Sequence, residues 1–343
     1  MPQLKVGIAG YGVVGKRRRQ FIDRHPNLKT VAVCDQTFSK SGVMEDGARY
    51  YLDYVHLLKE PLDVLFVSLP NYLAAEVTIA GLEKGLHVFC EKPPGRTVSD
   101  IERVIEVEKK HPGLILKYGF NHRYHDSVRD ALKLVKSGKL GDILNLRGVY
   151  GKSNIVPFVG EWRAERKFSG GGILLDQGIH MVDLMRLFCS EFTEVKSFIS
   201  NRYWNLDVED NAYAIMRDKK GRIATLHSSA TQWQHRFSLE IAFSEGYLEL
   251  SGILSGSKSY GEEKLTIGQR CALVTGTDKE ETVTYLEDNS WRDEIFEFAD
   301  TIGGGKKLVH GNSADALHTM KLVYRIYYAD PEWRQAFNIV NPD

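Results

Sequence analysis

The sequence GIAGYGVVG at residues 7–15 decides the fold of this chain. It follows an apolar run at residues 4–9 that lacks alternation and predicts a buried strand, and it leads into a helical stretch. Gly10 allows a tight turn, Gly12 lets the backbone approach a pyrophosphate, and Gly15 lets the helix pack closely on the strand. The helix N-terminus then offers N–H groups and the positive end of its dipole to phosphates. The pattern therefore predicts a dinucleotide-binding turn.

Asp35 supports this interpretation and indicates which dinucleotide binds. A second predicted strand, residues 29–34, ends at Asp35, which lies 20 residues beyond Gly15. A carboxylate at that position accepts hydrogen bonds from the adenosine ribose hydroxyls and repels a 2′-phosphate. We therefore expect NAD rather than NADP. The alternative is a glycine-rich turn of another α/β fold, which the combination of strand, helix and acidic residue disfavours.

Strand-like and helical patterns keep alternating through about the first 120 residues. Ser99 or Asp100 is the expected N-cap region of the last helix in this series. The alternation implies right-handed crossovers and a doubly wound parallel sheet. We expect strands at 62–69, 87–90 and 114–120, helices at 74–84 and 98–111, and a mostly helical or irregular stretch at 42–58.

The pattern changes after residue 122, where strand-like runs follow one another. The turn Asp218-Lys219-Lys220-Gly221 between two of them signals a hairpin, and such succession implies a mostly antiparallel sheet. The fold class is therefore α/β, with predicted domains at 1–122 and 123–343, and with the last helix able to pack back on the first domain. The expected strands are 143–150, 194–201, 212–218, 222–229, 237–242, 247–250 and 265–267; the expected helices are 127–137, 291–302 and 313–328, the last two separated by the glycines at 303–305.

Composition places the chain among ordinary globular proteins. Its 343 residues suggest two domains, and 43% of them are hydrophobic. Lysine plus arginine and aspartate plus glutamate both number 45, so the charge balance favours neither nucleic acid nor a membrane surface as partner. No secretory signal or membrane-spanning run is recognisable. The scattered Cys34, Cys90, Cys189 and Cys271 form no CxxC pair, so we expect reduced thiols and a cytoplasmic protein.

Two segments carry candidate catalytic groups, and the first is GGGILLDQGIHMVDLMRL at residues 170–187. Asp176 and His180 are four residues apart, which on a helix places both on one face. A carboxylate beside an imidazole can orient and move a proton near neutral pH. The alternatives are a purely structural pair or a metal site, although no third ligand of suitable spacing is evident. The three preceding glycines would let the start of the helix approach cofactor and substrate.

The second segment is Cys90-Glu91-Lys92-Pro93-Pro94, which closes the strand that begins at His87. Lys92 is therefore expected at the carboxyl end of a parallel strand, where ligands bind in such sheets. Residues 68–71 and 121–123 occupy equivalent positions. A partly buried lysine loses its proton more easily, because desolvation disfavours the charged form. The alternative is a surface lysine paired with Glu91. The basic cluster at residues 16–19 is interpreted as a solvated helix face.

These segments together resemble the Gfo/Idh/MocA oxidoreductase family, which includes glucose-fructose oxidoreductase and inositol dehydrogenases. The resemblance spans nearly the whole chain, and the EKP and GGG-x₃-D-x₃-H elements are specific at these spacings. The matching pieces are GIAGYGVVG at 7–15, Asp35, SLPN at 68–71, GLHVFCEKP at 85–93, GFNHRY at 119–124, EWR at 161–163 and GGGILLDQGIHMVDL at 170–184.

The resemblance implies an N-terminal Rossmann domain, with a doubly wound parallel sheet, followed by an α/β domain with a large, mostly antiparallel open sheet that is often the oligomer interface. It also implies that Lys92, Asp176 and His180 form the catalytic trio. Many members carry a histidine shortly after the PN of the third βα loop, whereas Asn71-Tyr72-Leu73-Ala74-Ala75 has none. The expected cofactor-binding residues are Gly10, Gly12, Val13, Val14, Gly15, Asp35, Ser68, Leu69, Pro70, Asn71, Glu91, Lys92, Asn121, Trp162 and Arg163.

The favoured function is an NAD-dependent oxidoreductase that transfers a hydride between the nicotinamide and a hydroxyl or ketone of a sugar, nucleotide sugar or polyol. One alternative keeps tightly held NAD and uses transient oxidation to cleave a glycoside. Another is a non-catalytic NAD-binding regulator, against which the intact proton-transfer trio argues. We expect a small carbohydrate as substrate, no nucleic acid or membrane partner, and a homodimer or homotetramer.

Overall fold

The computed structural model describes residues 3–154, 162–255, 259–270, 279–304 and 307–343. Cys271, Glu161 and Gly305, which figure in the sequence predictions, lie outside the described residues. The chain forms two compact units, and each of them is built from several segments. The first unit contains Met1–Asn121, Lys167–Gly170 and Trp291–Leu317; the second contains His122–Arg166, Gly171–Ser290 and His318–Asp343.

The first unit is built on a mostly parallel sheet, which confirms the predicted doubly wound fold. Within the described residues the strand order is β3-β4-β2-β1-β5-β6-β7, and only β3 runs antiparallel to its neighbour β4. The order reverses between β1 and β5, which is where such sheets bind ligands. The strands are β1 (Leu4–Ala9), β2 (Leu28–Cys34), β3 (Gly42–Val43), β4 (Arg49–Tyr51), β5 (Val64–Val67), β6 (His87–Glu91) and β7 (Leu116–Gly119).

Helices connect these strands, largely where the sequence predicts them. As expected, the stretch at 42–58 is mostly helical or irregular, although it also contains the short strands β3 and β4 beside the short α2. The expected N-cap at Ser99 or Asp100 was wrong, because the N-cap of α4 is Thr97, whose hydroxyl and the Asp100 carboxylate form a capping box. The α-helices of the chain are α1 (Val13–Ile22), α2 (Tyr54–Leu57), α3 (Asn71–Glu83), α4 (Val98–Glu108), α5 (Asp126–Ser137), α6 (Arg166–Ser169), α7 (Ile179–Cys189), α8 (Ser290–Ile302), α9 (Ser313–Ala329) and α10 (Pro331–Phe337).

The core of the first unit joins the two ends of its sequence. Phe66 on β5 and Phe89 on β6 stack with ring centroids 4.9 Å apart. The ring of Phe298 on α8 meets both edge-on, at 5.8 and 5.6 Å. Ile295 and Phe298 are fully buried in the same cluster as Val6 and Ile8 of β1. A helix near residue 300 therefore completes a core that begins at residue 4.

Arg18 on α1 is buried, so the prediction of a solvated basic face was wrong for this residue. Its side chain is 0% exposed and bonds to Glu91 at 2.5 Å and to Glu294 at 2.8 Å. The guanidinium also lies over the rings of Phe89 and Trp291, at 4.5 and 4.2 Å from their centroids. A planar, always charged group suits such a paired and stacked position. The partners come from distant segments, which local spacing does not reveal.

The second unit is built on an open, mostly antiparallel sheet, as predicted. Its strand order within the described residues is β15-β14-β13-β12-β8-β11-β10-β9, and β8 and β11 are its parallel pair. The hairpin predicted at Asp218 joins β10 to β11, whereas β15 and α10 were not predicted. The strands are β8 (Ile143–Ser153), β9 (Phe192–Ser200), β10 (Asn211–Asp218), β11 (Ile223–Gln232), β12 (Arg236–Phe243), β13 (Gly246–Ser251), β14 (Glu263–Gln269) and β15 (Lys279–Tyr285).

Helix α7 lies close against this sheet and is buried along nearly its whole length. A Cβ atom on Gly148 of β8 would lie 2.4 Å from the Met185 side chain, and one on Gly178 would lie 2.5 Å from Ser228 of β11. The two glycines therefore permit the close approach of helix and strands. Among the described residues, no helix combines the length and apolar character needed to cross a bilayer.

Candidate active site

The carboxyl ends of the parallel strands form one edge of the first sheet, and the glycine turn lies there. Gly10 has a φ of 90°, a region that favours glycine. A Cβ on Gly10 would lie 2.3 Å from the carbonyl oxygen of Ser68, which follows β5. The N–H of Ser68 in turn donates to the carbonyl of Ala9 at 2.7 Å. The turn and the Ser68 loop are therefore packed backbone to backbone at the reversal of strand order.

The start of α1 has the features that a dinucleotide phosphate requires. A Cβ on Gly15 would lie 1.9 Å from the carbonyl oxygen of Gly10, whereas one on Gly12 would meet nothing within 4 Å. Helix α1 begins at Val13, and no side chain among the described residues caps it. Val13 is 79% exposed. The turn thus presents open backbone and an apolar side chain, and Val14 follows half-buried.

Asp35 lies beside this turn and holds it in place. Its Oδ2 accepts the backbone N–H of Tyr11 at 2.8 Å. Its Oδ1 accepts the backbone N–H and the hydroxyl of Thr37 at 3.0 and 2.7 Å. The half-buried carboxylate therefore sits at the end of β2, next to the glycine turn, as the ribose-binding interpretation requires.

Ser68, Leu69, Pro70 and Asn71 connect β5 to α3 at the same edge. The Oγ atom of Ser68 is buried and has no hydrogen-bond partner among the described residues. A buried hydroxyl without a partner is costly, so this atom fits a position that a bound ligand completes. The amide of Asn71 is buried and donates to the carbonyl of Ser169 at 2.7 Å. Asn71 therefore anchors the segment that leads into the Asp176 helix.

Lys92 directly follows β6 and is half-buried, as predicted for a strand-end lysine. The peptide bond between Lys92 and Pro93 is cis. The neighbouring Glu91 accepts from Arg18 of α1 at 2.5 Å. Glu91 therefore shares its ion-pair partner, Arg18, with Glu294.

Asp176 and His180 lie in the second unit on a helix that is not a regular α-helix. Residues Leu174–Gly178 form a π-helical turn, and α7 starts at Ile179. The sequence analysis expected Asp176 and His180 on one helix, and in the structure Asp176 lies in the π turn and His180 in the first turn of α7. Such wider turns recur at functional sites because they redirect side chains. Asp176 is half-exposed, whereas His180 is 5% exposed.

The glycines before this helix serve close packing. A Cβ on Gly170 would lie 2.3 Å from the carbonyl oxygen of Arg96, and one on Gly172 would lie 2.1 Å from that of Glu209. Glu209 is fully buried and accepts the N–H groups of Gly172 and Leu174 at 2.8 and 2.9 Å. Burial raises the pKa of Glu209, against the opposing effect of Arg166 and of the hydrogen bond from Tyr327. A carboxylate from a distant loop therefore fixes the first turn of the Asp176 helix.

Arg163 contacts Asp176. Its Nε lies 3.7 Å from Asp176 Oδ1, and its guanidinium lies 4.4 Å from the centroid of the half-buried Trp162. Asn121 is buried at the start of a 3₁₀ helix, Asn121–Tyr124. In the same helix Arg123 donates from Nε to Asp183 of α7 at 2.6 Å. Arg163 and Arg123 therefore bind two acidic residues, Asp176 and Asp183, of the helical segment that carries His180.

Sequence analysis did not identify His122 as a neighbour of His180. The ring of His122 stacks on His180, and its Nε2 lies 3.1 Å from the hydroxyl of Tyr150 on β8. The hydroxyl of Tyr260 donates to Gln177 at 2.9 Å. Burial, Tyr260 and Asp176 raise the pKa of Tyr150 well above its ordinary value. His122 lies in the GFNHRY segment, but its partner is 58 residues away along the chain.

Within the described ranges, no group of three or more His, Cys, Asp or Glu residues is placed to hold a metal ion. Cys34, Cys90 and Cys189 are buried free thiols. Burial raises the pKa of Cys34 and of Cys90 to about 12, so both stay protonated at neutral pH.

Two family models match the chain, one in each half. The model described as the oxidoreductase family, NAD-binding Rossmann fold, matches residues 4–120. The model described as the GFO/IDH/MocA C-terminal domain matches residues 128–249. The chain belongs to the Gfo/Idh/MocA family. It is therefore an oxidoreductase with an NAD-binding Rossmann fold, as the sequence analysis predicts.

Relatives in the Gfo/Idh/MocA family match at modest identity. The uncharacterised oxidoreductase YrbE of Bacillus subtilis is 26% identical over 88% of this chain and 87% of its own length. D-glucoside 3-dehydrogenase of Escherichia coli is 31% identical, over 60% of this chain and 59% of its own length. A solved structure of levoglucosan dehydrogenase in complex with NADH superimposes with a TM-score of 0.84 over 96% of this chain and 98% of that one, at 21% identity.

Proposed function

We propose that the protein is an NAD-dependent dehydrogenase or reductase that acts on a CH–OH group of a sugar, nucleotide sugar or polyol. The observation that carries the proposal is the placement of Asp176 and His180 on a helix that Glu209 and Arg123 hold in position. A binding protein has no need for such a fixed proton-transfer pair. The glucoside dehydrogenase among the relatives supports a carbohydrate substrate.

We assign the catalytic steps to Lys92, Asp176 and His180. When bound, the nicotinamide supplies the acceptor or donor for the hydride of the substrate carbon. During oxidation, the imidazole of His180 accepts the proton of the substrate hydroxyl, for which a neutral histidine is suited near pH 7. The ammonium of Lys92 stabilises the negative charge that develops on the oxygen. Asp176, held by Arg163, hydrogen-bonds the substrate and fixes its orientation.

The proposed cofactor-binding residues lie mostly at the sheet edge of the first unit. The open backbone of Gly12 and the start of α1 fit the pyrophosphate, and Asp35 fits the ribose. The buried Ser68 hydroxyl fits a ligand contact. The proposed set is Gly10, Gly12, Val13, Val14, Gly15, Asp35, Ser68, Leu69, Pro70, Asn71, Glu91, Lys92, Asn121, Trp162 and Arg163.

A panel of sugars, polyols and nucleotide sugars, supplied with NAD or NADP and followed by NADH or NADPH absorbance, tests the proposal. We expect turnover with NAD on at least one compound. His180→Asn and Lys92→Met should each lower kcat by roughly 10²–10⁴-fold, the usual contribution of acid–base catalysis. NAD binding measured by calorimetry should persist in His180→Asn, because His180 is not in the proposed cofactor-binding set. Lys133→Met, which removes a lysine exposed on α5, is the control. Near wild-type turnover in either catalytic variant contradicts the assignment.

We further propose that a second copy of the chain covers the open face of the second sheet. Phe198, Tyr213 and Ile215 project from β9 and β10 on this face, and Phe198 is 80% exposed. A groove of about 350 Å³ on the same face is lined by apolar and basic side chains. Exposed apolar groups so close together mark an interaction surface. The near-neutral net charge offers little repulsion between copies, so a homodimer or homotetramer fits.

We propose a separate role for each of the two predicted domains. Residues 1–122 bind NAD, and residues 123–343 provide substrate contacts and the subunit interface. The buried free thiols of Cys34, Cys90 and Cys189 suit a reducing compartment, so we propose a cytoplasmic location.

A further inference from the structure

Arg18 joins three separate elements of the first unit. From α1, its Nε lies 2.5 Å from Oε1 of Glu91 at the end of β6, and its Nη1 lies 2.8 Å from Oε2 of Glu294 on α8. The guanidinium also stacks on the rings of Phe89 and Trp291. Because the Arg18 side chain is 0% exposed, bulk water does not compete for these contacts. The position of the guanidinium is therefore fixed by both carboxylates and both rings.

Two of these elements carry groups with proposed functions. Helix α1, which bears Arg18, begins at Val13, where the open backbone of the glycine turn fits the pyrophosphate. Strand β6 ends at Glu91, and the next residue is Lys92, the proposed stabiliser of charge on the substrate oxygen. The ion pair between Arg18 and Glu91 therefore connects the helix proposed to bind the cofactor phosphates with the strand end that carries Lys92.

Gly119 leaves the space that this ion pair occupies. It is the last residue of β7 and the register partner of Glu91. A Cβ atom on Gly119 would lie 3.0 Å from Nη2 of Arg18 and 3.0 Å from Oε2 of Glu91. A side chain at this position would therefore push the two charged groups aside. The neighbouring strand thus accommodates the ion pair by having a glycine where the pair passes.

Arg18 and Lys92 are alternative cationic partners for the Glu91 carboxylate. Glu91 directly precedes Lys92 in the chain, and in the structure it binds Arg18. A further buried cation of this unit, Lys117, lies 3.1 Å from Glu297. A guanidinium suits the Glu91 carboxylate well, because it is planar, always charged and weakly hydrated. If Arg18 were removed, we would expect the carboxylate to turn to the adjacent Lys92.

We propose that Arg18 is a positioning residue for Lys92: by binding Glu91 on the α1 side of the strand end, it keeps this carboxylate away from the Lys92 ammonium. The inference rests on the proposed role of Lys92, whose ammonium stabilises the charge that develops on the substrate oxygen. An ammonium held by Glu91 would be drawn away from that oxygen and would present less positive charge to it. Arg18 acts through Glu91 and needs no contact with substrate or cofactor of its own.

A double-mutant cycle tests whether Arg18 acts through Glu91. Arg18→Met leaves the carboxylate without its guanidinium and should lower kcat about tenfold at saturating NAD. Adding Glu91→Gln removes the competing charge, so the double variant should regain most of the lost kcat. A double variant no faster than Arg18→Met overturns the inference. Arg17→Met is the matched control, because Arg17 lies on the same helix and also stacks on Trp291, 5.0 Å from the ring centroid.

Acetylation of Lys92, measured by mass spectrometry of its peptide in the absence of cofactor, tests the same contact without turnover. An ion pair with Glu91 stabilises the protonated amine, so Arg18→Met should slow the labelling of Lys92 about threefold at pH 8. The double variant should restore the wild-type rate, and Lys133, exposed on α5, is the internal control. Local unfolding would speed the labelling instead. Unchanged or faster labelling in Arg18→Met overturns the inference.

Thermal melting of each variant shows whether it folds, because removal of a buried guanidinium leaves carboxylates unpaired. Gly119→Ala is a milder change if Arg18→Met does not fold. Its methyl group displaces Arg18 and Glu91 without altering any charge, so it should lower kcat about threefold and slow the labelling of Lys92. Wild-type values of both in Gly119→Ala overturn the positioning role. If Lys92→Met keeps full turnover, the proposed function fails, whereas the labelling still decides whether Arg18 keeps Glu91 from Lys92.

Discussion

Asp35 fixes the glycine turn by accepting the N–H of Tyr11. We propose that the same carboxylate also binds the adenosine ribose. Replacement by asparagine retains one oxygen for the turn but removes the charge that repels a 2′-phosphate. We therefore expect Asp35→Asn to raise the NADP-to-NAD ratio of kcat/KM about tenfold, or 1.4 kcal/mol.

Kinetics with both cofactors would measure this ratio. Asp53→Asn is a suitable control, because it makes the same change at a residue that caps the short α2 and is not in the proposed cofactor-binding set. An unchanged ratio in Asp35→Asn would argue against the ribose-binding role.

Glu294 makes the stability of the first unit depend on pH. Burial raises its pKa to about 7, although Arg18 and Lys117 oppose the shift. The folded protein therefore binds this proton more tightly than the unfolded chain, whose carboxyl has its ordinary value of 4.5. The contribution of this proton to the free energy of unfolding is fully present below pH 4.5 and is lost as the pH rises through 7. The resulting decrease in the free energy of unfolding is on the order of 3 kcal/mol.

Urea unfolding at intervals between pH 4.5 and 8 would reveal this loss. In Glu294→Gln the decline with rising pH should be much smaller than in the wild type. Glu106→Gln, which alters an exposed ion pair on α4, should follow the wild-type curve. Parallel curves for Glu294→Gln and the wild type would show that Glu294 is not the titrating group.

Residue types and spacing single out Lys92 and His180 as candidates for the chemistry, because each lies in a recognisable segment, but they do not indicate which side chains surround these residues. Arg18 contacts Glu294, which is 276 positions away along the chain, and His122 stacks on His180, which is 58 positions away. Such contacts depend on how elements pack, and periodicity within one element carries no information about them.

At the scale of elements, the helix that bears Asp176 depends on a carboxylate outside it. Glu209 accepts two backbone N–H groups of its first turn and the hydroxyl of Tyr327. In Glu209→Gln the amide nitrogen cannot accept a hydrogen bond. At least one of the three donors is therefore left buried without a partner. We expect a loss of about 1–3 kcal/mol in the free energy of unfolding, together with a lower kcat.

Chemical denaturation and steady-state kinetics on the same samples would measure both effects. Glu262→Gln, at an exposed glutamate, serves as the control. If Glu209→Gln unfolds like the wild type, the carboxylate does not stabilise the helix start.

Most elements were predictable to within a few residues because apolar periodicity reports burial. The exceptions are instructive. Strands β3 and β4 are two and three residues long, too short to show a pattern. Strand β15, KEETVTY, is an edge strand with largely exposed side chains, so it lacks the apolar alternation of a half-buried strand. The π turn at Leu174–Gly178 was not predicted, because the apolar periodicity of the segment does not distinguish it from a regular helix.

At the scale of the whole molecule, the open sheet face predicts how copies associate. We expect light scattering after size exclusion to give a dimer or tetramer for the wild type. Phe198→Asp places a charge within the exposed apolar patch and should lower the measured mass, because burying an unpaired carboxylate is costly. Leu286→Asp, at an exposed leucine in the loop after β15, should leave the mass unchanged. A monomeric wild type would refute the interface.

The contribution of α8 to the first core has a consequence for how the protein is made. Ile295 and Phe298 complete the cluster that contains Val6 and Ile8, yet they are synthesised almost 290 residues later. During translation the nascent NAD-binding unit must therefore wait, with part of its apolar surface uncovered, until nearly the whole chain has left the ribosome. Domains usually fold as units from the N-terminus onward during synthesis. Here the first unit cannot be completed until its last segment, Trp291–Leu317, has been made. Ribosome-bound chains stalled before residue 290 should therefore attract chaperones that bind exposed apolar segments.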